Sequence, residues 1–306
     1  MKVVVAGGTG FLGSRLVAML ARRGHEVLVL TRSPRNARQQ ALPMVRYVPW
    51  DVQGRGQWPE LLEGSHAVVN LVGEVIGGWR WTSQRKHRIL ESRITATRAL
   101  VEAIRSANQR PHVFISASAT NYYNTSTREV ATEASPPGED FLSSVCVAWE
   151  HEASQVQRLG VRLVVPRIGI VLDPTHGALP RFLLPFRLFL GGPLGSGRQW
   201  FPWVHPQDVL GVMLETLEQE DFSGPLNVTA PGIVTMDDFC AHLGQTLGRP
   251  SWLRIPGPAL RIALGEMSVL VLEGARVIPE RLLSAGYRFH FPRLEEALKA
   301  ILSPPG

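Results

Sequence analysis

A short apolar run followed by a glycine-rich turn opens the chain, and it constrains the fold more than any other feature of the sequence. Val3–Ala6 is all apolar, as expected for a strand covered on both faces of a parallel sheet. Gly7, Gly10 and Gly13 follow at a spacing of three, and a helical pattern comes next. A second apolar run at Val27–Leu30 completes a strand–helix–strand unit. The pattern predicts an α/β fold with a doubly wound parallel sheet.

The spacing of the three glycines is suited to a bound dinucleotide. The first glycine permits a tight turn, the second lets the backbone approach a pyrophosphate, and the third lets the helix pack closely on the strand. The N-terminus of the helix then receives the negative charge. We predict that the cofactor contacts the turn and the first helical residues, namely Gly7, Thr9, Gly10, Phe11, Leu12 and Gly13. The alternative is a glycine-rich turn that binds no ligand.

The end of the second strand distinguishes between the two nicotinamide cofactors. A protein that binds NAD usually carries Asp or Glu there, bonded to the ribose 2′-hydroxyl. This sequence reads LTRSPR, so Thr31 and Arg32 stand in place of the acid, with Ser33 and Arg35 just beyond. A guanidinium can hold a 2′-phosphate with its planar fork. The sequence therefore predicts NADP(H); the alternative is that Arg32 is a solvated loop arginine.

Later segments continue the alternation of strands and helices, with strands predicted in VRYVPWD, HAVVNLVGE, HVFISASA and VRLVVPRIGIVL. Because ligands bind at the carboxyl ends of parallel strands, the residues at or after these ends are predicted to line the cofactor. They are Asp51, Asn70, Leu71, Val72, Gly73, Ser116, Arg167 and Gly169. Arg93 lies on the helix after the fourth strand, where it is predicted to face the phosphates. A solvated helix charge is the alternative for Arg93, and equally for Arg80 beside Trp79.

The chain divides by pattern into two predicted domains. Residues 1–230 make a Rossmann-type NADP-binding domain, and residues 231–306 make a smaller C-terminal domain on the substrate side. A Gly- and Pro-rich stretch, residues 173–204, contributes to the substrate side, because such loops place aromatic and cationic side chains over a cleft. Within it Arg181 is one candidate contact, whereas His205, directly after it, is expected to be a hydrogen-bonded structural histidine.

Composition excludes several other classes of protein. The net charge is +6 and the pI is about 9.9, and the densest basic stretch, WRWTSQRKHRILESR, is a candidate nucleic-acid face, but a phosphate-bearing small molecule explains it better. The two cysteines, Cys146 and Cys240, give neither a disulfide framework nor a metal-ligand cluster. The longest apolar run is too short for a membrane span and is interrupted by Pro185 and Arg187. No leader pattern precedes the first strand, so we expect a cytoplasmic protein.

Several stretches together resemble one family. The glycine spacing, NLVG, SASATNYY and PRIGIVL are similar to the extended short-chain dehydrogenase/reductase superfamily, of the NAD-dependent epimerase/dehydratase type. RWTSQRK, DFLSSVCVAWE, LPFRLFLGGPLGSGRQWFPWVHPQDV and VIPERLLSAGYRFHFP resemble an atypical branch of that superfamily. Members of this branch are called epimerase family proteins, some with a cell-division-inhibitor label, and they end in a C-terminal domain of unknown function. The resemblance spans the whole chain, and a homodimer is plausible by analogy.

The resemblance implies a catalytic triad that this sequence does not contain in full. Active members use a Ser, a Tyr as general acid/base, and a Lys four residues later that lowers the pKa of the Tyr. Ser118 matches the serine, but the tyrosine position falls at Leu142–Ser143 and the lysine position at Cys146. Tyr122 and Tyr123, just after Ser118, are candidate substitutes for the acid, although such tyrosines more often line a pocket wall.

Two functions of different classes fit these observations. The first is an NADP(H)-binding oxidoreductase, or a nucleotide-sugar-epimerase-like enzyme, that acts on an unknown small molecule without the usual dyad. The second is a non-catalytic NADP(H)-binding regulator or redox sensor, which requires only the cofactor motifs. The cleft-forming stretch before His205 favours the enzyme.

Overall fold

The fold is built on a parallel sheet, seen in a computed structural model that describes residues 1–34, 42–53, 56–78, 80–125 and 129–303. Arg35 and Trp79 lie outside these described residues. The strands in chain order are β1 (Lys2–Ala6), β2 (Glu26–Thr31), β3 (Val45–Pro49), β4 (Ala67–Asn70), β5 (Val113–Ser116), β6 (Ser118–Ala119), β7 (Val130–Ala131), β8 (Arg162–Ile168), β9 (Ile170–Val171), β10 (Trp203–Val204), β11 (Gly224–Val228) and β12 (Arg276–Val277).

Helices cover the sheet and complete the C-terminal part. In chain order they are α1 (Phe11–Arg22), α2 (Ser83–Ser106), α3 (Phe141–Ser154), α4 (Leu179–Arg187), α5 (Pro206–Glu218), α6 (Met236–Leu247), α7 (Gly257–Leu264), α8 (Val269–Leu272), α9 (Glu280–Ser284) and α10 (Leu294–Leu302). Short 3₁₀ turns at Pro59–Leu62, Thr120–Tyr122, Gln155–Leu159 and Gly265–Ser268 join them.

The central sheet has the strand order β11–β8–β5–β4–β1–β2–β3, with β6 also paired to β8. The described pairs run parallel, and the chain reverses its direction of build-up between β1 and β4. This arrangement is the doubly wound Rossmann type that the sequence predicts, and it creates a crevice at the carboxyl ends of β1 and β4.

Both faces of the sheet are buried, which explains why its strands are apolar without alternation. Val3 and Val5 point into one hydrophobic layer with α1 and α5. Val4 and Ala6 point into the other layer, with α2. A helix on each face therefore follows from the side-chain period of two in β1.

The C-terminal region shares a core with the stretch before α5. Phe182 and Phe186 of α4 pack with Phe201, and with Phe239 and Leu243 of α6. α6 also packs along α10. Residues 282–289, in contrast, lie against the core of the large sheet. The division at residue 230 into two independently folding domains stays a prediction.

Within the described parts of the chain, no helix combines the length and the apolar character that crossing a bilayer requires.

Candidate functional site

The glycine-rich turn joins β1 to α1 through close backbone contacts. Gly7 has a φ of +80°, and a Cβ there would lie 2.9 Å from the carbonyl of Leu71. A Cβ on Gly13 would lie 2.2 Å from the carbonyl oxygen of Gly7. Larger side chains would therefore separate the strand from the helix. The N-cap of α1 is Gly10, which has no side chain, so the first amides of the helix have no side-chain cap.

The end of β2 presents an arginine to solvent. Thr31 is buried, and its hydroxyl accepts a hydrogen bond from the amide of Ser33 at 3.2 Å. Arg32, between them, is exposed. On the neighbouring strand end, Asp51 accepts a hydrogen bond from the amide of Gln53 at 2.9 Å. The Thr31 hydroxyl therefore shapes the turn, and Arg32 offers its charge at the edge of the crevice.

The polar residues that end β4 and β5 are used inside the protein. Asn70 is fully buried and donates to the hydroxyl of Thr97 at 2.9 Å and to that of Ser116 at 3.3 Å. Its carbonyl oxygen accepts from the amide of Val72 at 3.2 Å. Asn70 and Ser116 therefore fix the backbone that continues through Leu71. Both side chains are buried, and their predicted contact with the cofactor stays a prediction.

Arg93 lies under the backbone that follows β4. Its guanidinium donates to the carbonyl oxygens of Ile89 and Glu74 and covers the Trp149 ring at 5.1 Å. A Cβ on Gly73 would lie 2.9 Å from the guanidinium carbon, which explains the glycine. Burial lowers the pKa of Arg93 from its ordinary value. The arginine is thus a buried cation and not a solvated helix charge.

A buried ion pair organises the region behind the candidate serine. Arg167 on β8 forms a two-pronged pair with Glu150 on α3, with nitrogen–oxygen distances of 2.8 and 2.7 Å. Ser118 on β6 donates its hydroxyl proton to the same carboxylate at 2.6 Å. Arg167 is 3% exposed, so its charge serves this internal pair. The predicted approach of the cofactor to Arg167 concerns its backbone at the end of β8, which these side-chain contacts do not test, and it stays a prediction.

The two candidate tyrosines occupy different environments. Tyr123 is 1% exposed; its hydroxyl donates to Asn227 at 2.6 Å and accepts from Arg167 at 2.8 Å. Burial raises the pKa of Tyr123 to about 12. Tyr122 is half-buried with the Arg167 guanidinium 3.4 Å above its ring centre, and within the described residues its hydroxyl has no hydrogen-bond partner. The geometry argues against Tyr123 as an acid and leaves Tyr122.

The predicted dyad positions on α3 face the backbone that follows Ser118. The hydroxyl of Ser143 donates to the carbonyl of Asn121 at 2.9 Å. The thiol of Cys146 lies 3.8 Å from the carbonyl oxygen of Ala119. Burial raises the pKa of Cys146 to about 12, so the thiol stays protonated near neutral pH. This face of α3 carries neither a phenol nor an amine.

Gly169 and His205 have structural environments. A Cβ on Gly169 would lie 2.2 Å from the carbonyl oxygen of Pro202, so the glycine lets two segments cross closely. His205 is the N-cap of α5, and its Nδ1 accepts from the amide of Gln207 at 3.1 Å. Desolvation, with the charge of Arg15 nearby, lowers the pKa of His205 to about 4. The histidine is therefore a neutral cap, as the sequence predicts.

A cavity of about 490 Å³ adjoins the carboxyl ends of β4 and β8. Its wall combines the segment after β4, the start of β9, helix α4 and the C-terminal region, with residues such as Gly77, Ile170, Phe182, Leu194, Ile255 and Leu270. Arg181 is the one charged side chain among its described lining residues. The sequence reasoning places a pocket at this stretch but misses the apolar wall. The signal was available in LPRFLLPFRLFL and MSVLVL, which carry more apolar residues than one buried helix face needs.

The doubly wound sheet with its glycine-rich turn defines a Rossmann-type protein, and a cavity of substrate size lies between the segments after β4 and β8 and the C-terminal region. Residues 3–228 match the family model described as the NAD dependent epimerase/dehydratase family, and residues 255–301 match a domain of unknown function (DUF1731). The chain belongs to the NAD dependent epimerase/dehydratase family, which confirms the resemblance drawn from the sequence.

Relatives match along the whole chain. Epimerase family protein SDR39U1 homolog, chloroplastic, of Arabidopsis thaliana is 41% identical over 99% of this chain and 87% of its own length. Epimerase family protein YfhF of Bacillus subtilis is 39% identical, covering 99% and 98%. A crystal structure of human epimerase family protein SDR39U1 (isoform2) with NADPH superposes with a TM-score of 0.85 at 36% identity, covering 98% of this chain and 99% of the human one.

Proposed function

We propose that the protein is an NADP(H)-dependent oxidoreductase that acts on a small molecule held beside the crevice. The observation that carries this proposal is the cavity of about 490 Å³, whose wall includes residues 75–77, in the segment after β4, and Ile170, just after β8. Ligand pockets for small molecules have this size, and in open α/β folds they adjoin the cofactor crevice. A protein that only bound the cofactor would not need a second space there.

The residues of the crevice fit a dinucleotide phosphate. The turn at Gly7 and the contact at Gly13 leave no room for a Cβ, and the amides that open α1 are free of a side-chain cap. Exposed Arg32 offers a cation where a 2′-phosphate would lie. The human relative crystallised with NADPH supports the same choice of cofactor.

The bound nicotinamide would supply hydride transfer, and the chain's residues would position the substrate oxygen. The Ser118 hydroxyl donates its hydrogen bond to Glu150, so the hydroxyl oxygen can accept a hydrogen bond from a substrate hydroxyl. Both oxygens of the Glu150 carboxylate are engaged by Arg167, so this side chain serves to hold the serine in place. Tyr122 is therefore our candidate for the phenolic acid, since its hydroxyl is not used by the internal network that holds Tyr123.

Arg93 is our candidate for the cation that the missing lysine would provide. Arg93 is on α2, and its guanidinium lies against Gly73 and against the ring of Trp149. Trp149 is on α3, the helix that also carries the lysine position Cys146. Of the Arg93 nitrogens, Nη1 makes the hydrogen bonds to backbone carbonyls within the described residues. The remaining donors are suited to a ribose hydroxyl of the cofactor.

Isotope transfer tests the proposal. The protein is saturated with NADPH that carries deuterium at the transferable position, mixed with a small-molecule extract, and the metabolites are searched for deuterium by mass spectrometry. We expect label in one product, and a loss of that label in Ser118→Ala with unchanged NADPH affinity. Label that persists in Ser118→Ala would remove the serine from the mechanism.

A non-catalytic NADP(H)-binding regulator is the second candidate, and one observation favours it. The residues at the usual dyad positions are Ser143, whose hydroxyl binds a backbone carbonyl, and Cys146, whose thiol has a pKa of about 12. NADPH binding without any labelled product, together with a partner protein whose affinity changes with the cofactor, would establish this function. A nucleotide-sugar-epimerase-like activity is a variant of the first candidate. The cytoplasmic location and the homodimer stay predictions.

A further inference from the structure

The wall of the cavity beside the crevice is almost entirely hydrocarbon. Phe182 and Phe186 of α4 form one side, and Met267, Leu270 and Val271 of the C-terminal region form another. Among the described lining residues, no side chain carries an amide, a hydroxyl or a carboxylate. Because unpaired polar groups are costly to bury, such a wall favours an apolar occupant.

The one charged side chain among the described lining residues, Arg181, lies at the edge of the cavity. Arg181 is exposed on the first turns of α4, and its guanidinium lies 3.6 Å from where a Cβ on Gly77 would be. It makes no ion pair or side-chain hydrogen bond with any residue that the structure describes. A guanidinium in this position pairs well with a single acidic group at the mouth of the cavity.

The other cations near this mouth are already occupied by protein groups. Arg85 binds Glu74 and the carbonyl oxygen of Val75. Lys86 pairs with Glu266, and Arg80 donates to the carbonyl oxygens of residues 262 and 263. Within the basic stretch RWTSQRKHR, Arg80 and Lys86 therefore hold the C-terminal region, and Arg85 holds the segment after β4. These three side chains do not supply the several cations that a diphosphate requires.

Apolar residues of the cavity wall also reach the surface. Val75 is 72% exposed and Leu190 is 50% exposed. A ligand with a hydrocarbon body would cover both side chains, and removing their apolar surface from water favours binding.

From these observations we propose that the cavity binds an amphipathic substrate with a hydrocarbon body and one acidic group paired with Arg181, and not a nucleotide sugar. This inference rests on the proposed function, because it names the substrate class for that site.

Binding of a fluorescent carboxylate tests the inference. The probe is 11-(dansylamino)undecanoic acid, titrated into the full-length protein saturated with NADPH, with its methyl ester as the uncharged comparison. We expect saturable binding of the acid, weaker binding of the ester, and displacement of the probe by decanoic acid. UDP-glucuronic acid is expected not to displace it.

Three variants locate the probe. Arg181→Met is expected to weaken binding of the acid about 10- to 100-fold, the usual range for a lost charge-assisted hydrogen bond, and to leave the ester unchanged. Arg187→Met, an exposed arginine of the same helix that does not line the cavity, is the matched control and is expected to have no effect. Gly77→Leu is expected to block both probes, because it adds a side chain at the cavity wall. A Cβ at this position meets only ordinary contacts, so the variant is expected to fold.

The outcomes separate this inference from the proposed function. Displacement of the probe by UDP-glucuronic acid, or equal effects of Arg181→Met and Arg187→Met, would overturn the amphipathic class while NADPH binding stands. Each variant is also titrated with NADPH and melted, so that loss of folding is recognised. If the wild-type protein does not bind NADPH, the proposed function fails whatever the probe does.

Discussion

The buried pair of Arg167 and Glu150 is the residue-scale feature on which the candidate site depends. Two oppositely charged groups are held in the interior, and Ser118 and Tyr123 bind to them. Such a pair gains little over apolar residues, but each charge is costly once its partner is gone. The pair thus fixes the positions of β6, α3 and β8 at the site, more through the cost of breaking it than through its own strength.

Glu150→Gln is therefore expected to lower the free energy of unfolding by about 3–5 kcal/mol, because the Arg167 charge stays buried without its counter-charge. Glu152→Gln on the same helix is the matched control: Glu152 pairs with exposed Arg98, and about 0–1 kcal/mol is expected. Urea denaturation with an unchanged m-value measures both. Equal losses for the two variants would contradict this account of the pair.

At the same scale, we predict that Arg32 selects NADP(H) over NAD(H). Arg32→Ala is expected to weaken NADPH binding about 10- to 100-fold, since one charge-assisted hydrogen bond to the 2′-phosphate is lost, and to leave NADH binding unchanged. Titration of nicotinamide fluorescence measures both affinities. Arg46→Ala, an exposed arginine on adjacent β3, is the control and is expected to bind both cofactors as the wild type does. A parallel loss of NADPH and NADH affinity in Arg32→Ala would show that Arg32 does not read the 2′-phosphate.

At the scale of elements, the start of α5 is held by a histidine that must stay neutral. His205 caps the helix through the lone pair of Nδ1, and protonation would remove that acceptor. Desolvation, followed by the charges of Arg15 and His290, lowers its pKa from 6.5 to about 4, while Asp173 opposes this shift. The unfolded chain therefore binds a proton more readily than the folded chain between these two pKa values.

The sign of the pH dependence follows from this depressed pKa. The contribution of neutral His205 to stability is complete above pH 6.5 and is lost as the pH falls toward 4. Between pH 7.5 and 4.5 we expect the wild type to lose more unfolding free energy than His205→Asn, which keeps a capping group without a titrating one. Urea denaturation at both values measures the difference. The pH range from 4.5 to 7.5 lies above the pKa of Asp173, which is lowered to about 2, so Asp173 stays ionised in the folded protein throughout. Identical pH profiles would mean that His205 protonates at no cost.

At the scale of the whole molecule, a buried carboxylate ties the C-terminal region to the large sheet. Asp208 on α5 accepts hydrogen bonds from the backbone amides of His290 and Phe291. It is 0% exposed, and burial raises its pKa. Through this contact the segment before α10 is held against the helix that covers β1.

Asp208→Ala is expected to cost about 1–3 kcal/mol for each amide left without a partner. Hydrogen exchange at the amides of His290 and Phe291 should accelerate more than exchange in β1. The control is Asp221→Ala, at an exposed position after α5, where a change within about 0.5 kcal/mol is expected. Unchanged exchange at residues 290 and 291 would mean that other contacts hold the segment.

The sequence by itself determined the strand–turn–helix opening, the doubly wound sheet and membership of the family. These features depend on side-chain period, on glycines at fixed spacing and on local capping, all of which lie within a few residues of one another. Asp140, for example, caps α3 by accepting from the amides of Leu142 and Ser143.

Only the tertiary structure decided which polar groups are available for chemistry. Tyr122 and Tyr123 are adjacent in the sequence, yet Tyr123 is held by Asn227, which lies 104 residues away along the chain. The apolar wall of the cavity likewise joins the segment after β4 to residues near 270. Because a polar group's partner and a cavity's wall come from distant parts of the chain, no local pattern of residues specifies them.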